Sequence, residues 1–215
     1  MIAVLAVTAI EDVLFEVANA LRIPVFAAAI FALVFLVFDL GAFFVELARR
    51  GRRGRSEELD VATESALQAL TLGDAPAAER ALMALASSAQ MADTLAKVVV
   101  DHGHPSVEDR RAKALADFDL RSLRKLERSR MLVRFGPALG LMGTLIPLAP
   151  ALEGLANGDV RQLSDNLRAA FSVTVIGLLI GAVAFTISLV RDRLYAQDLS
   201  DLEYVVAALD PPERR

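Results

Sequence analysis

The chain has no cysteine. That excludes a disulfide, a thiol nucleophile and a Cys-ligated zinc site. Histidine is nearly as scarce, with only His102 and His104. Their His-x-His spacing has no third ligand of the usual type nearby, and a loop before a helix accounts for both, so no metal site is expected. There is no tryptophan. No nucleophile is paired with a base, and no glycine-rich phosphate loop is present, so neither an enzyme nor a cofactor is expected. The most telling absence is charge over long runs. Ile23 to Phe38, Phe135 to Leu152 and Ala169 to Val190 each carry none.

What is there is hydrocarbon. Of the 215 residues 55% are hydrophobic, and the mean hydropathy is +0.46. That is too apolar for an ordinary soluble domain and fits a few membrane spans plus one modest polar domain. A span takes about 20 mostly apolar residues. Three stretches qualify, and the fold class expected is an all-α membrane protein with three transmembrane helices and a helical cytoplasmic domain.

Orientation follows from the cations. Residues 49–134 hold 16 of the 23 Lys and Arg, while the loop between the second and third spans holds only Arg161 and Arg168. The first 22 residues carry Glu11, Asp12 and Glu16 against Arg22 alone. The N-terminus is therefore expected outside and the C-terminus in the cytoplasm. The layout is an outer-face amphipathic helix over residues 1–22, a first span over 23–48, and a cytoplasmic helical domain over 49–134. A second span over 135–156, a short outer loop over 157–166, a third span over 167–192 and a cytoplasmic tail over 193–215 follow. The N-terminal segment lacks the basic start of a signal peptide. Pro24 marks the turn into the first span.

The cytoplasmic segment reads as helices only. Ser56 to Asp74 has acids in its first turn and Gly73 at its end. Asp74 to Gly103 starts with an N-cap Asp and Pro76, and Leu82, Leu85 and Ala89 give it an apolar stripe. From about Pro105 no breaker intervenes before the second span, so one helix is expected to run from the cytoplasmic domain into the membrane. The basic cluster Arg121 to Arg134 is a positive flank that contacts anionic lipid rather than nucleic acid.

Within the spans, small residues recur every fourth position. Gly136, Gly140 and Thr144 share a face of the second, and Ala170, Thr174, Gly177 and Gly181 share a face of the third. Such faces allow close helix approach. A lone threonine in a span satisfies itself on a carbonyl one turn back. Two on adjacent antiparallel spans can form a polar ring if several copies surround an axis.

The strings "FGPALGLMGTLIPL" and "AAFSVTVIGLLIGAVAF" resemble the core of the MotA/TolQ/ExbB proton channel family. Gly140, Leu141, Gly143 and Thr144 match the family's Gly-Leu-x-Gly-Thr stretch, and Thr174, Ile176, Gly177 and Leu178 its Thr-x-Ile-Gly-Leu stretch. The three-span layout is similar to the TolQ/ExbB branch. The resemblance implies a homopentamer around the helices of a single-span partner of the ExbD/TolR/MotB type. It implies proton flow that moves this partner, and a proton-carrying carboxylate on the partner helix. It makes Thr144, Thr174, Gly140, Ala170 and Gly177 lining residues, with Gly136, Gly143 and Gly181 packing the helices. The alternative is an oligomeric membrane scaffold of the same fold that conducts nothing.

This sequence departs from the pattern in places. Several members carry a glutamate where Ala169 stands. Pro147 and Pro150 follow the Gly-Thr pair closely and free carbonyls, which is expected to kink the second span.

Asp39 is the one charge inside the first apolar run. It lies about ten residues before Arg49, or roughly 15 Å along a helix, in the cytoplasmic half of the span. Two readings stay open. One is a satisfied polar contact, with Arg134 or a third-span group as partner. The other is a cytoplasmic exit site for protons.

Overall fold

The computed structural model describes residues 10, 13–50 and 56–209. Among the described residues the chain is helix and turn, with no strand. Six helices are bounded: α1 (Arg22–Arg50), α2 (Ser56–Thr71), α3 (Ala75–Met83), α4 (Ala89–Val100), α5 (Val107–Ala156) and α6 (Val160–Ala208). Three helical stretches, Val13–Ala48, Val107–Ala156 and Val160–Ala208, are long and apolar enough to cross a membrane. The protein is an all-α membrane protein, and α5 is one helix from the polar domain through the second apolar run.

Half of the amphipathic helix expected over residues 1–22 falls on residues 1–9, 11 and 12, outside the described residues. Residues 13–20 are helical and Leu21 forms a turn, across which Leu21 N donates to Val17 O at 3.2 Å and Val25 N to Leu21 O at 3.0 Å. Pro24 then sits in the first turn of α1, where a missing N–H costs no intrahelical bond.

The chain divides into two compact units. One comprises the residues up to Gly41 with Arg128–Ser188. There Val25, Ala29, Ala32 and Leu36 form a narrow buried stripe on α1, while Ile30, Phe31 and Phe38 are exposed. A helix apolar all round with one buried stripe suits a lipid surround. The other unit comprises Ala42–Glu127 with the residues from Leu189. Its core joins Leu70, Leu82, Leu95 and Phe118 to Leu202, Val205 and Leu209 of the C-terminal segment.

Three boundaries differ from the sequence reading. First, the stretch from Asp74 to Gly103 is two helices. Asp74 caps α3 as expected, accepting from Ala77 N at 3.0 Å. Ser88 then starts a new helix: its backbone is extended, and its hydroxyl accepts from Met91 N at 3.1 Å. A serine hydroxyl that satisfies an orphan N–H makes a better helix start than a helix interior. Ser88→Ala should cost about 1 kcal/mol, read as lost amide protection in α4 by hydrogen exchange.

Second, the connection expected over 157–166 narrows to residues 157–159. Gly158 takes φ +75°. Gly158 N donates to Leu155 O at 3.1 Å and Asp159 N to Gly154 O at 2.8 Å. This closes α5 with a left-handed glycine. Asp159 then accepts from Gln162 N at 2.9 Å, which starts α6 at once.

Third, the residues read as a tail from 193 continue α6 to Ala208. Lateral ties in the polar unit include Asp93, which binds Lys97 and Arg121, both at 2.9 Å. The Lys97 and Arg121 hydrogen bonds hold its carboxyl below the usual range.

Candidate functional site

The two small-residue faces meet backbone to backbone. A methyl group added at Gly136 would lie 2.7 Å from Gly177 O and 2.9 Å from Gly181 N. One added at Gly177 would lie 2.5 Å from Gly136 O and 2.7 Å from Gly140 Cα. At Gly181 it would meet the Pro137 ring at 2.8 Å, and at Gly143 it would run into Val173. Glycine is required here because helix backbones touch. The packing expected of Gly136, Gly143 and Gly181 is an arrangement within one chain. Gly140, Ala170 and Gly177, read as lining, are buried in the same seam. Their place is between α5 and α6, which removes them from any open surface of the subunit. Pro147 and Pro150 lie inside α5, which stays helical to Ala156.

The threonines differ from the glycines. Both are half-buried. Thr144 Oγ1 donates to Leu141 O at 2.7 Å on its own helix. Thr174 Oγ1 lies 3.0 Å from Ala170 O and 3.3 Å from Gly140 O, one acceptor on α6 and the other on α5. A hydroxyl has a single proton for these two carbonyls, and its lone pairs stay available to an outside donor. Neither hydroxyl titrates at ordinary pH. Between Phe135 and Leu152, and between Ala169 and Val190, no side chain is titratable. This seam offers hydroxyls and carbonyls but no group to carry a proton.

Asp39 is held by Ser129, whose hydroxyl donates to Asp39 Oδ2 at 2.9 Å. Of the two partners expected, Arg134 or a third-span group, Arg134 lies more than a turn further along α5 and is exposed. A hydroxyl donates to the carboxylate from the helix facing it. At the other end of α1, Arg22 donates to Asn166 Oδ1 on α6 at 3.0 Å. The two histidines serve the loop before α5. His104 Nδ1 accepts from Ser106 N at 3.1 Å, and His102 Nδ1 lies 3.3 Å from Arg111.

A family model described as the MotA/TolQ/ExbB proton channel family matches residues 86–203, more than half of the chain. The chain belongs to the MotA/TolQ/ExbB proton channel family. No curated protein matches it. The matched region takes in α4, α5 and nearly all of α6, including both threonines, while α1 with Asp39 falls before it. With three apolar helices, this family membership makes the chain a multi-pass membrane protein.

The same family region ends in a feature that sequence reasoning missed. Asp198 on α6 is 1% exposed at its side chain and binds Arg50, itself 3% exposed, with both oxygens at 2.8 and 2.6 Å. Ser87 Oγ donates to Asp198 Oδ1 at 2.8 Å. Arg50 also reaches Glu46 at 3.3 Å, and Glu46 in turn meets Arg191 at 3.3 Å and the Tyr195 hydroxyl at 3.4 Å. Burial, reinforced by Glu46, pushes the Tyr195 phenol far above its ordinary range. This network joins the end of α1, the start of α4 and the far part of α6. One signal pointed to it. Ile187, Arg191, Tyr195, Asp198, Leu202 and Val205 are buried at helical spacing, with two charges among apolar positions.

Proposed function

We propose that this protein is the ring-forming subunit of a membrane motor driven by the proton-motive force, of the TolQ/ExbB branch of its family. Five copies surround a single-span partner of the ExbD/TolR/MotB type and move it, transmitting energy to envelope or transport processes. The subunit is a channel wall rather than an enzyme. It sits in the inner membrane with its N-terminus outside and its C-terminus in the cytoplasm, as the distribution of Lys and Arg indicates.

The observation that carries this reading is the pairing of half-buried hydroxyls with an absence of titratable groups. Thr174 spans the seam between α5 and α6, and the family match covers it. A wall of hydroxyls without a carboxylate suits a carboxylate brought by another chain. A non-conducting scaffold is the second reading, favoured by Ala169 where several members carry a glutamate.

The test is proton flux into vesicles holding the protein and the single-span product of an adjacent gene. Thr174→Val keeps the shape and removes the hydroxyl. Flux should fall by about tenfold, the effect of one lost hydrogen bond of roughly 1.4 kcal/mol in the transit step. A purified stoichiometry of five to two is expected. Parent vesicles without flux would favour the scaffold, and unchanged flux in the variant would remove Thr174 from the path.

A further inference from the structure

The unit that contains the apolar runs has a groove between α1 and α5, about 230 Å³ in volume. Phe31, Ala32 and Phe35 form one wall, Met131 and Phe135 belong to the other, and Arg128 is the single charged residue that lines it. The groove carries no function in the family reading above. We propose that it binds an anionic phospholipid, with an acyl chain along the aromatic walls and the phosphate on Arg128.

The apolar part of the argument is geometric. The Asp39–Ser129 hydrogen bond sets the register of the two helices, and places Arg128 near the level of Leu40. From there to Phe31 is nine residues, about 13 Å along a helix. Half of a hydrocarbon core of roughly 30 Å is about 15 Å. The groove is therefore about as long as one leaflet is deep, with Arg128 at one end and Phe31 at the other. Phe31 is 73% exposed and Phe135 55%, so both walls are open to a chain lying in the membrane. No water is available there to fill an apolar groove.

The charge part selects the headgroup. Among the described residues Arg128 makes no hydrogen bond or ion pair, and its side chain is exposed. A guanidinium at the end of an apolar groove calls for an oxyanion, and arginine binds phosphate through paired, charge-assisted hydrogen bonds. Arg121, Arg124, Lys125, Arg130 and Arg134 lie along the same stretch of α5. Together they raise the local concentration of anionic lipid at that end. Hydrocarbon of any origin would fit the walls; the anion requirement points to a phospholipid.

The test uses the full chain purified in detergent, with dioctanoyl phosphatidylglycerol, dioctanoyl phosphatidylcholine and glycerol phosphate as probes. Binding is read from the rise in unfolding temperature with probe concentration. Phosphatidylglycerol should bind at least about tenfold more tightly than phosphatidylcholine, and Arg128→Gln should erase that difference. Arg124→Gln, on the same exposed stretch but outside the groove, should keep it. Ala32→Leu places a larger side chain in the groove and should weaken both lipids. Equal affinity for the two lipids overturns the proposal. So does a response to glycerol phosphate that equals that to phosphatidylglycerol. An Arg128→Gln protein that keeps its preference, or an Ala32→Leu protein that changes oligomeric state with lipid binding intact, assigns the groove to another occupant.

Discussion

Replacing Gly177 by valine should leave no folded protein to purify, and even Gly177→Ala should destabilise it by about 1–3 kcal/mol, the usual cost of overpacking. The alanine methyl would stand 2.5 Å from Gly136 O and 2.7 Å from Gly140 Cα. Both neighbours are backbone, so no side chain can rotate away, and α5 and α6 must separate along the seam. Separation loses the close contact that holds helices together where lipid competes equally for apolar surface. It also carries Thr174 away from Gly140 O, which now lies 3.3 Å from its hydroxyl. Gly41 is the control. It lies within α1 and has nothing within 4 Å of an added methyl, so Gly41→Ala should keep the stability of the chain. The measurement is the fraction of protein that elutes folded after a heat step, by size-exclusion chromatography. A Gly177→Val protein that survives heating like its parent would mean that the seam is not as tight as described.

Much of this architecture is legible without coordinates, and the reasons are specific. The spans are legible because a run such as Ala169 to Val190 without a charge has few alternatives to a membrane. The cap at Asp74 is legible because Asp followed by Pro in a first turn has one common use. The matching Gly-Leu-x-Gly-Thr and Thr-x-Ile-Gly-Leu strings are legible because two short patterns fall on adjacent spans. The partner of Asp39 was not, since a serine among the basic residues of α5 is the least conspicuous donor there, and register between helices decides which donor faces it. The break before Ser88 was not, because Leu82, Leu85 and Ala89 continue a helical stripe across it. The separation of threonines from glycines also needed packing. Spacing places Gly140, Ala170, Thr174 and Gly177 on narrow faces, but only the approach of two backbones shows which of them the partner helix covers. The buried network was hidden for a further reason. Arg50 lies in "RRGRRGR", where nothing in the string sets it apart from its neighbours, and its partner is 148 residues away.

That pair gives the second large effect. Asp198→Ala should destabilise the protein by about 3–5 kcal/mol, the usual result of leaving one member of a buried ion pair behind. The Arg50 guanidinium would keep Glu46 at 3.3 Å, but it would lose two short bonds in a place where its side chain is 3% exposed. Ser87 would lose its oxygen acceptor at the same time, keeping only the Met91 sulfur at 3.5 Å. The double variant Arg50→Met with Asp198→Leu should recover most of the loss, because apolar side chains of similar size avoid the cost of dehydrating two charges. Heat unfolding of the four proteins closes a double-mutant cycle. If the double variant is as unstable as the sum of the singles, the two side chains act independently and not as a buried pair. If stability returns in the double variant while proton flux with the partner does not, the network has a second duty. It joins the end of α1 to the part of α6 beyond the apolar run. On the motor function proposed above, a polar clamp there would fix the helix ends under load, which stability alone does not measure.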